Sequence, residues 1–77
     1  MNNQQMLIWL REKMDRVEAE IKYLEELLVT TSGPADQIVS DIEVEKARLD
    51  EYRSGYDKVM RQIRDEEEAK KSSVQSQ

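Results

Sequence analysis

Three consecutive glutamates, Glu66, Glu67 and Glu68, are the densest run of potential cation ligands in this 77-residue chain. Neighbouring residues on a helix point about 100 degrees apart, so the three carboxylates do not converge on one ion. Ser72, Ser73 and Ser76 carry hydroxyls, but no base accompanies them to make a nucleophile. The chain has no His and no Cys. That removes the commonest general base, the commonest metal ligand, a thiolate and any disulfide. With two Gly there is also no Gly-rich phosphate loop. The expectation is a non-enzymatic protein with no catalytic residue, no metal and no cofactor.

What remains is charge. The net charge of −5 is uneven along the chain. Residues 1–17 carry net +1, residues 18–50 net −6 and residues 51–77 net 0. The middle block holds Glu18, Glu20, Glu25, Glu26, Asp36, Asp41 and Glu43, together with Glu45 and Asp50. Such a balance argues against direct binding to nucleic acid or to an anionic membrane. Asp36 and Asp41 suit the start of a helix, whereas Glu25 and Glu26 lie near a helix end where negative charge is mildly unfavourable. The block is read either as a solvated face or as a patch for a basic partner.

The elements that carry these charges show in the apolar spacing. Leu7, Leu10, Met14, Val17, Ile21, Leu24 and Leu28 step by alternating threes and fours, an a/d seam with Leu7, Met14, Ile21 and Leu28 at a. Asn2 or Asn3 can cap this first helix. Arg11 with Asp15, Glu12 with Arg16 and Glu18 with Lys22 are opposite charges one turn apart. Ile38, Ile42, Glu45, Leu49, Tyr52, Tyr56, Val59 and Ile63 form a second seam with one polar member. Glu66 with Lys70 and Glu67 with Lys71 support its last turns.

Between the seams stands Thr30-Thr31-Ser32-Gly33-Pro34. Gly33 is suited to the left-handed conformation that ends a helix, and Pro34 to the first position of the next. A short connection makes antiparallel neighbours; the alternative is a single continuous helix, against which Gly33-Pro34 counts, since an interior Pro costs about 3 kcal/mol. The expected fold is therefore all-α: an antiparallel two-helix hairpin, coiled-coil-like, spanning 1–71. Helix 1 covers about 3–31, the turn 31–35 and helix 2 about 34–70, and residues 72–77 form a disordered tail. Folding pairs Leu28 with Ile38, Leu24 with Ile42, Ile21 with Glu45, Val17 with Leu49, Met14 with Tyr52 and Leu10 with Tyr56. The longest apolar run, Met6 to Leu10, is too short for a membrane span or a signal peptide. The protein is read as soluble and cytoplasmic.

Two helices sharing one seam bury little, and a chain this short needs further support. Met6 and Leu27 take g positions and Trp9 and Tyr23 c positions in helix 1, and Val39 and Met60 take e positions in helix 2. The apolar face is thus wider than two helices need. Met6, Ile8, Trp9 and Met60 would form an exposed patch at the open end, and patches of this kind mark interaction sites. The expectation is a homodimer forming a four-helix bundle, through Met6, Ile8, Trp9, Tyr23, Leu27 and Met60. The alternative is that Trp9 and Tyr23 fold over the seam of a monomer. Glu45 either reaches water at the seam's edge, aided by Lys22 or Arg48, or acts as a polar device that sets register. Gly55 costs roughly 1 kcal/mol against Ala.

These features imply a protein–protein interaction function: a self-associating hairpin serving as assembly factor, adaptor or scaffold. The other reading is a small acidic inhibitor, of the kind phages and mobile elements encode, that blocks a basic nucleic-acid-binding surface of a target protein.

Overall fold

The structure, a computed structural model, describes residues 2–75, with side chains through Lys71. Two helices, α1 (Asn3–Thr30) and α2 (Asp36–Gln75), pack against each other as a hairpin measuring 70 × 17 × 16 Å. No strand occurs among the described residues. None of their helices is long and apolar enough to cross a membrane.

The α1 N-terminus is closed by a reciprocal cap. The Asn2 side chain accepts from the Gln5 amide at 2.8 Å, and the Asn2 amide donates to Gln5 Oε1 at 3.2 Å. Two amides that the helix leaves unpaired are thereby satisfied.

The turn differs from expectation in three respects. Gly33 does not take a positive φ. The chain leaves α1 one step earlier, at Thr31, whose extended backbone still lets its N–H donate to the Leu27 carbonyl at 2.9 Å. Thr30 Oγ1 donates to the carbonyls of Glu26 and Leu27, so the last turn finds its partners without a glycine cap. Pro34 also lies outside α2. Its ring biases Gly33 toward extended backbone, and the first α2 hydrogen bond runs from the Val39 amide to the Ala35 carbonyl at 3.0 Å. Ala35 is therefore the N-cap. Finally, α2 begins at Asp36 and continues to Gln75. The helix bounds thus run past the expected stop near residue 70, and the side chains of the expected tail from residue 72 lie outside those described. Ser76 and Gln77 lie outside the described residues. Every described side chain beyond Ile63 is exposed, so these last turns of α2 rest chiefly on their own backbone ladder, with Glu66 reaching Asn3 of α1 at 3.5 Å.

The seams meet as the spacing requires. Leu10, Val17, Ile21, Leu24 and Ile42 are buried, and the other seam positions are half-buried. None is sealed completely, because one helix can cover only one side of its neighbour. The exposed i,i+4 pairs do not close. Among described residues the ion pairs within 4.0 Å are Glu45–Arg48 at 3.1 Å and Asp50–Arg53 at 4.0 Å, both i,i+3. Holding two long exposed side chains in one geometry costs about as much entropy as the contact returns.

Gly55 sits half-buried beside Leu10, and a Cβ built on it would lie 3.6 Å from Leu10 Cδ2. That is ordinary van der Waals contact. Gly55→Ala is expected to stabilise the hairpin by about 0.5–1 kcal/mol. The melting temperature should rise by a few degrees. A lower melting temperature would show that the helices approach more closely there than these distances allow.

Candidate interaction surface

The roll of the two helices about their seam decides which flank is covered. Among the g positions, Met6, Lys13 and Leu27 of α1 and Asp41 and Gly55 of α2 are half-buried, while Glu20, Arg48 and Gln62 are exposed. The e positions Arg11, Glu18 and Glu25 of α1, and Val39, Lys46, Arg53 and Met60 of α2, are exposed. The two helices thus lean together on their g flank.

Trp9 lies on that flank. Its ring meets Tyr52 edge-on, with centroids 6.0 Å apart and an interplanar angle of 83°. Lys13 Nζ stands 5.4 Å from the Trp9 ring centroid, within cation–π range. Even so, Trp9 remains 41 % exposed. Below it runs an open groove of about 370 Å³ walled by Lys13, Arg16 and Glu20 of α1 and by Glu45, Arg48 and Tyr52 of α2. Tyr23, two heptads on from Trp9, is 58 % exposed.

The six apolar residues singled out from the sequence fall into two groups by heptad position. Met6, Trp9, Tyr23 and Leu27 share the g and c positions of α1. Ile8 at b and Met60 at e are both exposed, and their heptad positions put them across the seam on the other flank. Missing from the apolar list were Lys13, Arg16 and Glu20, which complete the Trp9 flank. Charged residues at helical spacing carry no signal of a shared surface until the fold shows which side they line.

Glu45 is the polar member of the seam. Its side chain is 16 % exposed and its Oε1 accepts from Arg48 Nη1 at 3.1 Å. Arg48 is half in water, so the carboxylate is paired at the seam's edge, and Arg48 is the residue that reaches it.

The acidic residues gather in the closed half of the hairpin but not on one face. Glu18 and Glu25 fall at e, Glu20 and Asp41 at g, Glu26 at f, and Asp36 and Glu43 at b. All are exposed except Asp41, which is half-buried and accepts from Gln37 Nε2 at 2.9 Å. The arrangement makes a negative tip, not a pocket. No group of His, Cys, Asp or Glu among the described residues is placed to hold a metal ion. At the open end Glu66 approaches Asn3, with 3.5 Å between Oε1 and Nδ2, so it turns toward α1 instead of toward Glu67 and Glu68.

A folded monomer of 9.1 kDa exposes about 4,900 Å². This chain exposes 6356 Å². The surplus of about 1,500 Å² is shared between the flanks of the hairpin and the last turns of α2, whose described side chains beyond Ile63 are all exposed.

No protein-family model, no curated protein and no solved structure matches this chain. The fold defines its class: an antiparallel, coiled-coil-like two-helix hairpin.

Proposed function

We propose that the protein is a non-enzymatic interaction module whose hairpin self-associates as a homodimer and, in that form, serves as an adaptor or scaffold for another protein. The observation that carries this reading is the surface left by the hairpin: a seam with no completely buried side chain, beside Trp9 at 41 % and Tyr23 at 58 % exposure. Large aromatics exposed on a rigid helix are the residue types that anchor interfaces. The test is a solution mass by sedimentation equilibrium over a range of concentrations. The expected result is twice 9.1 kDa, with dissociation on dilution. A mass of one chain at every concentration removes the reading.

The negative tip supports a second reading, an inhibitor that blocks a basic surface of its target. Within the 18–50 block, the carboxylates in ion pairs are Glu45 and Asp50, which leaves most of the charge free to attract cationic groups. Reversing Glu25, Glu26 and Asp41 together would abolish target binding on this reading and leave self-association intact. Target binding unchanged by the reversal removes it.

A further inference from the structure

Beside the a/d seam, α1 carries a second stripe at heptad spacing. Its members are Met6, Trp9, Lys13, Arg16, Glu20, Tyr23 and Leu27, in steps of 3, 4, 3, 4, 3 and 4. Read from either end the order is the same in kind. An aliphatic residue comes first, then an aromatic, then a charge, with Arg16 at the centre. The charges on the two sides of the centre are opposite: Lys13 before it, Glu20 after it.

A surface that contacts a copy of itself about a two-fold axis must be self-complementary, so that residue i meets j and j meets i. A second chain laid antiparallel on this stripe, with the axis at Arg16, satisfies that condition. Met6 meets Leu27, Trp9 meets Tyr23 and Lys13 meets Glu20, each twice. Arg16 falls on the axis, where Glu20 of each chain offsets the like charge. The antiparallel arrangement also sets the two acidic tips about 45 Å apart, well beyond the screening length in physiological salt. A parallel pair would instead place tip on tip and Lys13 on Lys13.

We infer that the partner on this stripe is a second copy of the chain, bound head to tail about a two-fold axis at Arg16, with the two α1 helices at the centre of a four-helix assembly. The inference rests on the self-association proposed above and adds the surface and its direction. Trp9 and Tyr23 are the exposed aromatics that it covers.

The chain has no cysteine, so introduced thiols report contacts without background. Met6→Cys and Leu27→Cys, each as a single variant, are oxidised alone and as an equimolar mixture. Disulfide-linked dimers are expected from the mixture between residues 6 and 27, and not from Met6→Cys alone. Residues 6 and 27 of one chain stand about 30 Å apart on α1, so no bond within a chain imitates this result. In parallel, Lys13→Glu and Glu20→Lys are each expected to weaken self-association about tenfold or more, because each sets like charges against each other twice. The double variant, with the pair exchanged, is expected to recover it.

A doubled mass with Met6→Cys linking to itself would overturn the direction and leave self-association standing. A doubled mass with neither charge variant weakened would overturn the stripe. A single-chain mass throughout would overturn this inference and the proposed function together.

Discussion

Replacing Ile21 by Asp is expected to unfold the hairpin at neutral pH. Ile21 is 7 % exposed. The Leu10–Gly55 contact sets the register, and counting along the seams from it brings Ile21 level with Glu45. The substitution removes a buried aliphatic side chain, which by truncation alone costs about 2–5 kcal/mol. It also puts a second carboxylate in the seam opposite one that is already only 16 % exposed. A core of this size supplies a net stability of only about 3–5 kcal/mol, so the folded state should be lost. Far-ultraviolet circular dichroism at fixed protein concentration reads the outcome. Ile21→Lys is the informative companion. It loses the same apolar contacts but faces Glu45 with an opposite charge, and should retain more helix than Ile21→Asp. Equal loss in the two variants would mean that residue 21 does not stand opposite Glu45.

On the proposed head-to-tail dimer, converting both Trp9 and Tyr23 to Ser is expected to leave a single chain of 9.1 kDa. Aromatic anchors at an interface cost about 2 kcal/mol or more each when truncated. In a two-fold dimer each is lost twice. The dissociation constant should rise by about a thousandfold or more, which sedimentation detects without difficulty. Trp9 also contacts Tyr52 within the hairpin, so Trp9→Ser alone should lower the melting temperature somewhat. Tyr23 has most of its surface in water, and Tyr23→Ser alone should weaken the proposed dimer while leaving the helix content of the single chain unchanged. Undiminished self-association in the double variant would move the interface off this flank.

Much of the fold is written in short-range spacing. Alternating steps of three and four place Leu10, Val17, Ile21 and Leu24 on one side of a helix whatever surrounds it, and the second seam from Ile38 to Ile63 has the same property. Each pattern is a local consequence of helix geometry. Five residues between two matched seams then leave the antiparallel hairpin as the compact solution. The cap at Asn2 is legible for the same reason, since donor and acceptor lie three residues apart.

Other features were decided by how distant residues met. The turn could be placed from Gly33 and Pro34, but not its mechanics. Thr31 becomes extended and satisfies the Leu27 carbonyl, so Gly33 is not needed in the left-handed region. The candidate site was legible only in part. Trp9, Tyr23, Met6 and Leu27 stand out as surplus apolar residues, and heptad position already separates them from Ile8 at b and Met60 at e; the roll of α2 around the seam is not legible in that spacing. That roll depends on the sum of contacts between residues tens of positions apart in the chain. It brings Tyr52 to the edge of the Trp9 ring and Arg48 to Glu45. It also turns Lys13, Arg16 and Glu20 from ordinary solvated charges into one wall of a groove. Sequence by itself determined the helices and the faces they bury, because helix periodicity acts within a few residues. Tertiary structure alone decided on which flank the two helices lean together, because that depends on the angle at which two rods come to rest.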